Sequence, residues 1–105
     1  MKLLTKELAN KIPKLYETEE VPVSNKVALV KLFHPVSNWT WYVMEYDGKD
    51  TCWGLVVGHE TELGYFSLSE LDAIESPFDI RVERDIFFRP TTVAELGVLE
   101  YAAVA

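Results

Sequence analysis

Cysteine and histidine are scarce in this 105-residue chain, with one and two copies, and no pair of them stands at a metal-ligand spacing. Cys52 has no second thiol to join, so no internal disulfide can staple the fold. His-x-x-x-His and Cys-x-x-Cys are both missing; His34, His59, Glu60 and Glu62 would make a metal site only if the fold gathered them, and no metal or other cofactor is expected. Gly48, Gly54, Gly58 and Gly64 are isolated and none opens a helix with Lys-Ser or Lys-Thr, so the chain lacks a phosphate-binding loop. Nor does any apolar run approach the roughly 20 residues that a membrane span needs. Positive charge is also short: ten Lys and Arg stand against seventeen Asp and Glu, a net charge of −7. Attraction to nucleic-acid phosphate or anionic lipid is disfavoured by that balance, and a basic or neutral partner is favoured. With no charged-plus-apolar leader before the first predicted helix, the expectation is a soluble cytoplasmic protein without a membrane partner.

What is present is apolar surface, since 49% of the residues are hydrophobic, enough for one core and one domain over residues 1–105. The chain pivots on residues 62–71, Glu-Leu-Gly-Tyr-Phe-Ser-Leu-Ser-Glu-Leu, where a strand-like run gives way to a helix. Ser67 and Glu70 are spaced as a capping box, and Leu68, Leu71 and Ile74 follow as one apolar stripe. Gly64 predicts a bulge or a close backbone approach.

Residues 1–16 place Leu4, Leu8, Ile12 and Leu15 at helical spacing behind Thr5 as cap, with Pro13 ending or kinking the element. An acidic loop follows over residues 17–25. Residues 26–34 read as a central strand apolar on both faces. A turn at residues 35–38 leads to a strand over residues 39–46, with Trp39, Trp41, Val43 and Glu45 predicted on one face and Tyr42 on the other. Asp47-Gly48-Lys49-Asp50 is a hairpin signal, and residues 51–58 supply the returning strand, where Gly54 and Gly58 leave room for a bulky aromatic. Residues 80–88 alternate as a further strand. Thr92 and Glu95 offer a second capping box, closed near Gly97. The fold expected is α+β, a single domain with an antiparallel or mixed sheet of about four or five strands covered by short helices.

Three blocks, Asn38-Trp39-Thr40-Trp41-Tyr42, residues 62–71, and Glu83-Arg84-Asp85-Ile86-Phe87-Phe88-Arg89-Pro90, stand in order behind the opening Leu3-Leu4-Thr5-Lys6-Glu7-Leu8. With them the chain resembles the bacterial DUF2958 family over residues 1–96, and residues 97–105 read as a variable tail. The resemblance implies a small stand-alone protein of the kind often carried on plasmids and other mobile elements, with an accessory role and no catalytic motif to carry over.

Among the residues themselves, Trp39 and Trp41 on one strand face suit base stacking, but a stacking platform is normally joined by a basic groove, and aromatics more often fill a core. Direct nucleic-acid binding is therefore the least favoured reading. Glu83 and Asp85 alternate onto one strand face, where paired carboxylates can share acid–base work or a cation, with His59 or Tyr65 as helpers; an ion-paired charge ladder is the commoner outcome. Cys52 reads as a small buried hydrophobe. The leading expectation is a non-enzymatic module that binds a basic or DNA-handling protein through an acidic and aromatic surface built from Trp39, Trp41, Tyr42, Glu62 and Tyr65. The alternative is a small enzyme or ligand-binding protein that uses Glu83 and Asp85.

Overall fold

Asp47 organises a hairpin turn. Its Oδ1 accepts the backbone N–H groups of Lys49, Asp50 and Thr51 at 2.7, 2.8 and 3.1 Å, and Gly48 takes φ +83°, a conformation that glycine adopts without steric cost. The computed structural model describes residues 2–97. In chain order its elements are α1 (Lys6–Ala9), β1 (Val27–Ala28), β2 (Val30–Phe33), β3 (Thr40–Tyr46), β4 (Thr51–Val57), β5 (Thr61–Ser67), α2 (Leu68–Asp72), β6 (Glu83–Arg84), β7 (Thr91–Thr92) and α3 (Val93–Leu96). The main sheet is antiparallel in the order β5-β4-β3-β2-β6, and β1 pairs with β7 in a separate two-stranded ladder. This is the α+β architecture expected, with five strands in the large sheet. No helix among the described residues is long and apolar enough to cross a membrane.

Each face of the sheet carries its own core. Val30, Leu32, Trp41, Val43, Cys52 and Phe66 pack under Leu71 of α2 and under Leu3 and Ile12 of the N-terminal segment. Ala28, Met44, Leu55 and Val93 form the second core on the opposite side. Strand β3 feeds both, because a bulge between Val43 and Glu45 shifts its register. Beyond it Glu45 stands opposite Trp53 and Tyr46 opposite Cys52, so the single face predicted for Trp39, Trp41, Val43 and Glu45 breaks at Glu45. Gly54, the partner of Val43, permits this, since a Cβ there would lie 1.8 Å from the Tyr42 carbonyl oxygen. Room for an aromatic exists at Gly58, where the Trp39 ring comes within 2.5 Å of the place a Cβ would take. Gly64 is not a bulge; it pairs in register with Gly54 and has open space around it.

The turned Glu45 is only 4% exposed. Its carboxylate accepts the N–H groups of Tyr16 at 2.8 Å and Thr18 at 3.1 Å and the Thr18 hydroxyl. Lys26, also buried, donates to the Thr18 carbonyl and lies 5.2 Å from the Trp53 ring centroid. These bonds hold the acidic loop on the sheet and keep Tyr16 at φ +70°, a left-handed backbone unfavourable for a bulky side chain. Burial pushes the Glu45 carboxyl up, but the bonds from Thr18 and Tyr16 and the Lys26 charge outweigh it and leave the group below its ordinary value.

Tertiary contacts, and one local turn, shorten several predicted elements. Thr5 does cap a helix, accepting the Leu8 N–H at 3.1 Å, yet α1 spans four residues, and further on the Pro13 carbonyl accepts the Tyr46 N–H at 2.9 Å. The strand predicted over residues 26–34 divides at Leu29, whose N–H bonds the Val43 carbonyl at 2.9 Å. The one predicted over residues 80–88 reduces to β6, because Asp85 Oδ1 takes the Phe87 N–H at 2.9 Å and turns the chain. At α2 the Ser67 half of the capping box is made, with Ser67 Oγ accepting the Glu70 N–H at 3.1 Å. The Thr92–Glu95 box is complete, and Gly97 closes α3 at φ +74°. Of the tail read as a variable extension, residues 98–105 lie outside the described residues.

Gly54→Ala is expected to lose about 3 kcal/mol of stability by urea unfolding, because backbone rather than a flexible side chain must move. Glu45→Gln is expected to lose about 2 kcal/mol at pH 7. Because folding depresses the Glu45 pKa, its contribution is present above the unfolded value near 4.5 and is lost as pH falls through the folded value. The variant's stability curve should therefore decline less than the wild type's below about pH 4.5 in acid titrations.

Candidate functional site

His34 follows the last residue of β2 and closes the connection to β3. Its N–H donates to the Trp39 carbonyl at 2.9 Å, and its Nδ1 accepts the backbone N–H groups of Val36 and Ser37 at 3.3 and 3.1 Å. Asn38 takes φ +65°, within the left-handed region that asparagine tolerates best among non-glycine residues. The closed turn sets Trp39 just ahead of β3 on the same face as Trp41. Their ring centroids lie 6.0 Å apart at 30°, and His59 meets Trp39 edge-on at 5.7 Å and 83°. The segment after α2 brings up Ile74, Glu75 and Pro77. With His34, Trp39 and Trp41 these bound a cleft of about 440 Å³, a size that suits a small ligand or an anchoring side chain.

Trp41 belongs to the core floor of this cleft and Trp39 is half-buried beside it. They form a wall rather than a free stacking platform. His34 is 4% exposed, and its Nε2 is the one buried side-chain nitrogen or oxygen without a partner among the described residues. An unpaired buried donor costs about 1–3 kcal/mol.

The other predicted binding residues divide between faces. Glu62 stands beside Val56, itself beside Trp41, in one cross-strand row with the cleft. Tyr42 faces the opposite side, 5.8 Å from the Phe88 ring, and burial, then the Asp85 charge, pushes its hydroxyl pKa up. Tyr65 also lies on that side, opposite Trp53, and its hydroxyl donates to that of Tyr16 at 3.1 Å. This hydrogen bond is the largest cause raising the Tyr65 pKa. A second cleft of about 300 Å³ opens there, lined by Tyr16, Lys26, Glu45, Trp53 and Tyr65. The five residues thus make two surfaces, not one.

Glu83 and Asp85 do share a shallow cleft at the β6 edge, with Lys31, Ile86 and Phe87. Asp85 is already engaged: Oδ1 accepts the Phe87 N–H at 2.9 Å and Oδ2 faces Lys31 Nζ at 3.9 Å. Tyr65, on β5, lies at the far edge of the sheet with three strands between, so it cannot assist them in one site. No three His, Cys, Asp or Glu residues gather to hold a metal among the described residues. Cys52 is buried in the core; burial, then the charges of Asp47 and Asp50, pushes its thiol up to about 12.

Residues 3–105 match the model of a family described as protein of unknown function, DUF2958. The chain belongs to the DUF2958 family. No curated protein and no solved structure matches it. The DUF2958 match runs through the C-terminal residues read from sequence as a variable extension, and the family description assigns no activity. The site of this DUF2958 protein is therefore argued from its own residues. His34 as a cleft residue, and Ile74, Glu75 and Pro77, were missed by sequence reasoning. A histidine directly before a proline turn, next to an aromatic strand, was the available signal for the first.

Native protein is expected to resist iodoacetamide at pH 8, because Cys52 is both buried and held as a thiol, and to label fully in urea. Mass spectrometry of the intact chain reads the difference.

Proposed function

We propose that this protein is a non-enzymatic binding module that takes an apolar side chain of a basic protein partner into the Trp39–Trp41 cleft. The observation that carries the reading is the cleft itself, whose lining includes two tryptophans and Glu75 but no lysine or arginine among the described residues. Acidic residues continue around it: Glu60 follows His59, which abuts Trp39, and Glu62 extends the row through Val56 and Trp41. Together with a net charge of −7, this favours a positively charged segment flanking the anchor, and repels phosphate. A DNA-handling protein is the class of partner most often basic enough, and an accessory role on a mobile element would place it there. The single buried thiol of Cys52 is in keeping with a reducing, cytoplasmic setting.

The alternative, chemistry or ligand binding by Glu83 and Asp85, draws support from their common edge cleft. The engagement of Asp85 with Phe87 and Lys31 favours the bland role of an edge turn held by an ion pair. Direct binding of single-stranded nucleic acid through Trp39 and Trp41 would call for a basic groove, and no lysine or arginine lines their cleft among the described residues.

Affinity purification of the tagged protein from its own host is expected to recover a stoichiometric basic protein. Trp39→Ala should weaken that complex about thirtyfold, as loss of a hot-spot aromatic does, and Glu75→Lys should weaken it further at low salt. Recovery of no partner, or a complex indifferent to both substitutions, rejects the reading.

A further inference from the structure

His34 uses one side of its ring for the fold and leaves the other unexplained. Because Nδ1 accepts two backbone N–H bonds, from Val36 and Ser37, it carries the lone pair, and the ring proton sits on Nε2. An asparagine at this position could supply the same acceptor to the turn, since its side-chain carbonyl makes the local bonds that histidine Nδ1 makes here. The turn therefore accounts for Nδ1 alone. The Nε2–H remains buried and unpartnered among the described residues, in a side chain that lines the Trp39–Trp41 cleft, and buried polar groups without partners are rare enough to demand a reason.

We infer that His34 Nε2–H is the recognition donor of this cleft, and that the anchor it selects is a tyrosine flanked by basic residues, whose phenolic oxygen accepts the bond. The inference rests on the cleft being the binding site, as proposed above, and names what that site chooses. A flat ring fits walls made by Trp39 and Trp41, inclined at 30°, and faced by Ile74 and Pro77. Phenylalanine would fill the same space and leave Nε2 unpaired. Tryptophan brings only a donor, which cannot meet another donor. A carboxylate at the tip would bring negative charge toward Glu75. Nε2 is almost sealed from solvent, so the lining rings adjust slightly as the anchor enters, a common scale of side-chain movement at interfaces. The bond then forms where water does not compete with it. A site built around a buried polar group discriminates well against a ligand that lacks its complement.

The test uses two capped tripeptides, Lys-Tyr-Lys and Lys-Phe-Lys, titrated into the full chain while the indole N–H resonances of Trp39 and Trp41 and the His34 Nε2–H resonance are followed by NMR. The tyrosine peptide is expected to bind about tenfold more tightly and alone to move the His34 Nε2–H resonance downfield. In His34→Asn, which keeps an acceptor for the turn, the two peptides should bind within about twofold of each other. If that variant fails to fold by circular dichroism, the peptide pair and the Nε2–H resonance in the wild type decide the matter. Equal binding of the two peptides to the wild type overturns the inference and leaves the cleft reading standing. Failure of both to perturb Trp39 or Trp41 removes the cleft reading, and the inference with it.

Discussion

The close approach of β3 to Gly54 is the constraint on which the rest of this molecule depends. The Tyr42 carbonyl occupies the space of a Gly54 side chain, and the ladder beside it slips at Val43 and Glu45. One strand thereby serves both faces of the sheet. Before the slip it presents Trp41 and Val43 to the core under α2; after it, Tyr46 joins that core. Without the extra residue Glu45 would point into that same apolar layer, where an unpaired carboxylate is costly.

From that reversal follows the division of labour between faces. Turned away from α2, Glu45 collects Tyr16 and Thr18, and with Lys26 anchors the acidic loop. This polar cluster spends its hydrogen-bonding capacity on holding chain segments together. The face with the two tryptophans differs, since His34 Nε2, buried there, is left unsatisfied among the described residues. A fold that pairs its buried charges on one face and leaves a donor unpaired on the other places the unmet demand, and hence the candidate site, on the second.

Local signals were legible where the interacting residues are close in sequence. Asp47-Gly48 made its turn, Thr5, Ser67 and Thr92 made their caps, and β3 and β4 lie within a residue or so of the predicted bounds. Most errors arose where a distant partner competed, and one where a local turn at Asp85 overrode alternation. The amphipathic pattern through Leu4, Leu8, Ile12 and Leu15 suggested a helix of several turns, but short helices are marginal alone, and the N-terminal segment instead fits itself to the sheet through Pro13 and the Glu45 carboxylate. The alternation over residues 80–88 lost to the side chain of Asp85, which turned the chain after two paired residues.

By itself the sequence determined the α+β class, the hairpins and the helix starts, because capping, turn geometry and period-two alternation act over a few residues and need no knowledge of the rest. It also determined the charge of the surface, which is a sum over composition. Only the tertiary structure decided that Glu45 changes face, that Tyr65 parts company with Trp39 and Trp41, and that Tyr65 lies at the opposite sheet edge from Glu83 and Asp85. It alone brought His34 and Glu75 to the tryptophans. Each of these depends on which strands are neighbours and in what register, and a one-residue slip in register exchanges the two faces of a sheet.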